Sequence, residues 1–299
     1  MYNKTVTLSN GVVVPQLALG TWLIDDGKAA EAVRQAVDLG YRHVDTAQAY
    51  ANERGVGEGI RTCGVPREEL FATTKLAAEH KDYQSAAKAI DGSLEALGLD
   101  CIDLMIIHSP QPWIEVNQSE DRHFEGNLEA WRALTDAYKA GKLRAIGVSN
   151  FLQEDIDSLW NNAEVKPMVN QVLCHISNTP LDIIEYCQGK GIVMEAYSPV
   201  AHGEALKNPA IARMAEKYGV TVPQLCIRYA LQLGMITLPK TANPEHMRTN
   251  ADVDFEISAD DMDALKHVEK IASYGDSSYF PVYGGKLKGY SGKPGTEEV

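Results

Sequence analysis

The chain has 299 residues, 44% hydrophobic, 23% charged and 7% aromatic. These proportions describe a folded globular protein and exclude a disordered, collagen-like or coiled-coil chain. The formal charge of −13 makes the surface repel phosphate backbones, so nucleic acid is not an expected partner. Any phosphate site has to be local, made of a few cations.

The five cysteines, Cys63, Cys101, Cys174, Cys187 and Cys226, are odd in number and form no CxxC pair. They predict reduced thiols in a cytoplasmic protein, with neither a disulfide frame nor a cysteine zinc site. The leading MYNKTVTLSNG has no signal-peptide core. No apolar run approaches the roughly 18 residues of a membrane span, so no membrane association is expected.

In chain order, residues 5–14 predict a hairpin, with Thr5 to Leu8 and Val12 to Val14 as strands around Ser9-Asn10-Gly11. Short apolar runs then follow at 17–20, 41–45, 70–75, 102–108, 145–149, 168–171, 192–197 and 235–239. Between them, segments such as 29–39, 83–97, 128–140 and 181–188 place apolar residues three and four apart, as amphipathic helices do. Ala140-Gly141-Lys142 reads as a helix stop before a strand.

Strands alternating with helices at this length predict an α/β fold, one (β/α)8 TIM barrel over residues 17–270. A doubly wound sheet is the rival. No linker divides the chain, so one domain over 1–299 is expected. Two stretches fall outside the barrel: the loop 109–127, and a C-terminal tail, 273–299, over the barrel mouth. The tail carries Tyr274, Tyr279, Phe280, Tyr283 and Tyr290 among glycines. It reads either as a lid over the rim or as a disordered terminus.

Chemistry in such a barrel occurs at the C-terminal ends of the strands. There the sequence places Thr21-Trp22, Asp45 with Tyr50 five residues on, Lys75, His108, Ser149-Asn150, Asn170-Gln171, Tyr197-Ser198 and Lys240-Thr241. Taken singly, each has a plain reading as a turn cap, a solvated charge or a core ring. Scattered caps would not put Asp, Tyr, Lys and His on three consecutive strand ends.

Carbonyl reduction, the activity implied by the family resemblance that segments 40–57 and 143–151 carry, needs hydride at carbon and a proton at oxygen. A free tyrosine is a poor donor near neutrality, and a nearby cation favours its phenolate. Tyr50 is therefore expected as the acid, Lys75 as the cation that lowers its pKa, Asp45 as the partner of Lys75, and His108 as the donor orienting the carbonyl.

The segments GYRHVDTAQAYANERGVG (40–57), LRAIGVSNF (143–151) and LPKT (238–241) resemble signatures of the aldo-keto reductase family. The resemblance covers essentially residues 5–270. It implies a barrel that binds extended NADPH across its rim without a Rossmann domain, and it assigns the same four catalytic positions, Asp45, Tyr50, Lys75 and His108. It also implies that Ser149, Asn150 and Gln171 hold the nicotinamide carboxamide and that Tyr197 stacks on the ring. Thr21, Asp45, Ser198 and Val200 join the implied cofactor set. Gly55-Val56-Gly57-Glu58-Gly59 is GxGxG rather than a dinucleotide fingerprint, and reads as part of the second helix. No metal site is expected.

The sequence departs from the family at the phosphate end. Lys240-Thr241 is followed by His246 where the family has Arg, and Thr249 precedes the adenine-contacting Asn250. Arginine grips a phosphate in a planar fork, whereas histidine is mostly neutral near pH 7. NADPH is expected as cofactor, with NADH also used and the preference between them weakened.

Trp22, Tyr50, His108 and Trp113 are expected to line a pocket for small aldehydes, ketones or α-dicarbonyls. A monomer is expected. The competing reading is a non-catalytic cofactor-binding or structural protein on the same barrel.

Overall fold

Residues 1–287 are described by a computed structural model; Tyr290 of the tail lies outside them. Strand β1 (Thr5–Thr7) pairs antiparallel with β2 (Val13–Pro15), Val6 opposite Val14. Leu8 and Val14 are buried, so the hairpin packs onto the main core.

The eight apolar runs form eight parallel strands. They are β3 (Leu19–Gly20), β4 (His43–Asp45), β5 (Phe71–Leu76), β6 (Ile102–Ile107), β7 (Leu143–Ser149), β8 (Val169–Leu173), β9 (Val193–Tyr197) and β10 (Ile236–Leu238). Neighbours in sequence are neighbours in the sheet. Parallel bridges from Leu17 to Thr237 and from Gly20 to Lys240 join its two edges into a barrel. Gly20 suits that seam, because a methyl there would press to 3.1 Å from the Leu238 carbonyl oxygen. β5 and β6 are buried at every position, which explains their unbroken apolar runs: helices cover one face and the barrel interior fills the other. The doubly wound alternative is excluded by the closure.

The helices are α1 (Asp26–Asp38), α2 (Glu53–Thr62), α3 (Tyr83–Leu97), α4 (Phe124–Lys139), α5 (Gln153–Asn162), α6 (Leu181–Gly189), α7 (Pro209–Lys217), α8 (Val222–Gln232), α9 (Pro244–Ala251) and α10 (Ala259–Lys266). α3 starts where Asp82 accepts from the Ser85 amide, and ends at Gly98 in the left-handed region. The GxGxG run lies in α2 and serves packing. A methyl at Gly55 would strike the Asp26 carbonyl, and one at Gly57 the Leu97 carbonyl, so the glycines let α2 press against its neighbours.

One expectation is corrected. The loop read as 109–127 ends sooner, since α4 begins at Phe124. Asn127 is polar yet buried, its amide donating to the Pro110 and Arg122 carbonyls and its oxygen accepting from Lys81. The described part of the tail forms 3-10 turns at Gly275–Tyr279 and Pro281–Tyr283, and residues 280–283 line the barrel mouth. Tyr274 joins a second core cluster that includes Leu225, Tyr229 and Leu265. Asn117 donates to the carbonyls of Pro281 and Gly285, linking tail and loop.

Candidate active site

Asp45 ends β4, Lys75 lies near the end of β5, and His108 follows β6. Tyr50 comes from a 3-10 turn, Gln48–Tyr50, after β4. That turn is held from below. Asn52, fully buried, donates to the carbonyls of Thr21 and Ile24 and accepts from the Thr46 hydroxyl.

Lys75 is 0% exposed. Its ammonium donates to Asp45 Oδ1 at 2.5 Å, to the Thr46 carbonyl at 2.8 Å and to the Tyr50 hydroxyl at 3.2 Å, which uses all three donors. Burial disfavours the charge, but Asp45 and Tyr50 outweigh it and the Lys75 pKa is raised. Lys75 is therefore a fixed cation.

The expected net lowering of the Tyr50 pKa is corrected. Tyr50 is partly exposed and lines the cleft, yet desolvation raises the phenol by more than Lys75 lowers it, and Asp45 adds to the rise. Lys75 partly offsets burial rather than producing a strong acid. Burial, then Lys75, push His108 well below its usual value, so its imidazole is neutral. Its ring meets those of Tyr50 and Trp113 edge-on, centroids 5.7 and 5.1 Å apart.

Behind Asp45 the network continues inward. Gln171 Nε2 donates to Asp45 Oδ2 at 3.0 Å and to Glu195 Oε2 at 2.8 Å. The amide nitrogen of Gln171 is thus committed inside the barrel.

One cavity of about 470 Å³ brings Thr21, Trp22, Asp45, Tyr50, His108, Trp113, Ser149, Asn150, Gln171, Tyr197, Ser198, Val200, Lys240, Thr241, His246 and Asn250 to a common lining. Every site residue expected from the sequence except Lys75 lines it; Lys75 touches it through Tyr50. Thr21 is buried, with its hydroxyl donated to the Asp45 carbonyl. Asn150 sits at φ 60° and donates to the His108 carbonyl and to Ser149 Oγ. It accepts from the Tyr197 hydroxyl at 2.7 Å. Burial pushes the Tyr197 phenol well above its ordinary value, so it stays a neutral donor. At the far end Lys240 and His246 are exposed, and Asn250 is buried. Arg248 turns aside to an ion pair with Glu245.

Opposite, the tail supplies Phe280 and Tyr283. Trp22 meets Phe280 at 4.8 Å and His202 at 5.2 Å between ring centroids. The Tyr283 hydroxyl lies 2.7 Å from Ser198 Oγ and 2.6 Å from His202 Nε2.

Thr46, His202 and Glu195 escaped the sequence reading. Thr46 acts through its backbone carbonyl, which no side-chain pattern reveals. His202 belongs to a loop whose path only the tail explains. Glu195 had a usable signal, a carboxylate inside an otherwise apolar strand.

The residues fit an extended dinucleotide: an aromatic surface at Tyr197, hydroxyl and amide groups at Ser149 and Asn150, and a cation, Lys240, at the far end of the same cavity. Among the described residues no group of three or more His, Cys, Asp or Glu is arranged to hold a metal, and no helix is long and apolar enough to cross a membrane.

Residues 16–270 match the sequence model of the Aldo/keto reductase family. The glyoxal reductase of Bacillus subtilis is 43% identical over 268 residues, spanning 89% of this chain and 93% of the relative. The structure of an aldo/keto reductase from Brucella melitensis superimposes with a TM-score of 0.81 at 36% identity, covering 88% of this chain and 97% of that one. A Bombyx mori aldo-keto reductase, solved in complex with NADP, gives 0.80 at 32% identity, covering 94% and 98%. With eight parallel strands closed around the Asp45, Tyr50, Lys75 and His108 cluster, this chain is an oxidoreductase that belongs to the aldo/keto reductase family.

Proposed function

We propose that the protein reduces small aldehydes, ketones and especially α-dicarbonyls to alcohols with NADPH, and that Tyr50 donates the proton. The observation that carries this is the unbroken contact from Asp45 through Lys75 to the Tyr50 hydroxyl, opening on the cleft that His108 also lines. When bound, the reduced nicotinamide supplies hydride to the carbonyl carbon. The chain's own part is the proton and the charge. Tyr50 holds the proton at the substrate oxygen while its phenol is neutral. As the proton leaves, the phenolate forms beside an ammonium already in place, with no reorganisation. Neutral His108 offers a second, uncharged donor to the same oxygen. Ser149, Asn150 and Tyr197 seat the nicotinamide end, and Lys240 with Thr241 the phosphate end.

Trp22, Trp113 and Phe280 make the substrate end apolar and aromatic, which suits small uncharged carbonyls. The glyoxal reductase relative supports the α-dicarbonyl class. The five free cysteines support a cytoplasmic setting, and the barrel works as one domain and as a monomer.

The test is loss of NADPH absorbance with glyoxal and a panel of aldehydes, alongside cofactor titration. Turnover is expected. Tight NADPH binding with no turnover on any carbonyl would favour the non-catalytic reading.

A further inference from the structure

A second carboxyl group lies behind Asp45. Glu195 sits at the centre of β9 and is 0% exposed. Its Oε2 accepts from Gln171 Nε2, and its Oε1 is buried with no hydrogen-bond partner among the described residues. The same Gln171 nitrogen holds Asp45 Oδ2.

The local charges argue against an ionised Glu195. The charged groups acting on it are Asp45 and Lys75. The Lys75 hydrogens are taken by Asp45, Thr46 and Tyr50. The buried imidazoles that sense Lys75, His43 and His108, are both held neutral by burial. Ionised, Glu195 would be a second carboxylate sharing one cation, with an unsolvated oxygen. Neutral, it still gives Gln171 its acceptor.

We propose that Glu195 works as a neutral carboxylic acid and is a positioning residue: its Oε2 fixes the Gln171 amide, Gln171 holds Asp45, and Asp45 holds Lys75 against Tyr50. This rests on the reading of Tyr50 as proton donor. Burial and then Asp45 push Glu195 up to about 7, against Gln171 and Lys75. Its ionisation near neutrality would place a negative charge two hydrogen bonds behind Asp45 and three behind Lys75. That charge raises the Tyr50 phenol further and weakens it as a donor.

The experiment compares kcat for glyoxal reduction in wild type, Glu195→Gln and Glu195→Leu from about pH 5.5 to 9. Wild type is expected to lose activity through a step near 7, and Glu195→Gln to show no such step. Glu195→Leu, which removes one of the two acceptors of the Gln171 amide, is expected to lower kcat about tenfold with KM little changed. Infrared absorption of the cofactor-free wild type is expected to show a protonated-carboxyl band that fades as pH rises through the same region and is absent from Glu195→Gln. An unaltered pH profile in Glu195→Gln, or the absence of that band in wild type, overturns the proposal. If Glu195→Gln does not fold, the wild-type infrared result decides alone. Failure of the Tyr50 reading shows differently, as turnover by Tyr50→Phe, and leaves the infrared band untouched.

Discussion

The Tyr50 hydroxyl lies 3.2 Å from the Lys75 ammonium, and Lys75 is itself fixed by Asp45 and the Thr46 carbonyl. Tyr50→Phe removes the hydroxyl and keeps the ring. NADPH affinity is expected to hold, while kcat falls about 10²- to 10⁴-fold, the range for losing a positioned acid. Fluorescence titration and single-turnover kinetics measure the two separately. Near-normal turnover would mean another acid. Lys75→Met is expected to cost about 3–5 kcal/mol in urea unfolding as well, because it strands the buried Asp45 carboxyl.

His246, exposed at the Lys240 end of the cavity where arginine would supply a planar fork, is the position expected to set cofactor choice. Wild type is expected to prefer NADPH over NADH by less than about a thousandfold, or 4 kcal/mol. His246→Arg should widen the preference about tenfold or more. Steady-state kcat/KM with both cofactors reads both values, and no change in His246→Arg would show that this position does not face the phosphate.

Phe280 and Tyr283 lie over Trp22 and Ser198, so the tail should filter substrates by size. A chain ending at Gly275 keeps Tyr274, which packs in the second core cluster and bonds His175. The ratio of kcat/KM for bulky over small aldehydes is expected to rise roughly tenfold on this truncation, about 1.4 kcal/mol. An unchanged ratio would remove the lid role.

Two glycine substitutions should move stability in opposite directions. Gly57→Ala pushes a methyl into the Leu97 carbonyl and should destabilise by about 1–3 kcal/mol or more. Gly92, exposed within α3, has nothing within 4 Å of an added methyl. Gly92→Ala should stabilise by about 0.5–1 kcal/mol. Denaturant unfolding of both reads the sign directly.

Acid sensitivity follows from His43, whose pKa burial lowers to about 4. Its folded value lies below the unfolded value near 6.5, so its contribution is complete above about 6.5 and lost as pH falls toward 4. That loss is about 3 kcal/mol. His175, also lowered to about 4 by burial, adds in the same direction. Urea unfolding at pH 7 and pH 4.5 should show the drop, and His43→Asn should shrink its pH dependence. Equal slopes would assign acid sensitivity elsewhere.

Tyr83–Leu97 was legible to the residue, and each apolar run became a strand with ends shifted by a residue or two. Helical and strand periodicity are local properties, set by which faces a segment must bury, so they can be read along the chain. The strand ends were legible for the same reason, since Asp45, Lys75 and His108 each stop an apolar run. Tertiary structure alone decided the rest. Only closure of β10 onto β3 and the ordering of adjacent strands let Gln171 bridge Asp45 and Glu195. Only packing around Tyr50 made burial outweigh Lys75, and only the loop at Asn117 and the ring of Trp22 gave the tail a seat. Those outcomes depend on groups distant in sequence meeting where water is excluded, a condition that a linear order of residues does not contain.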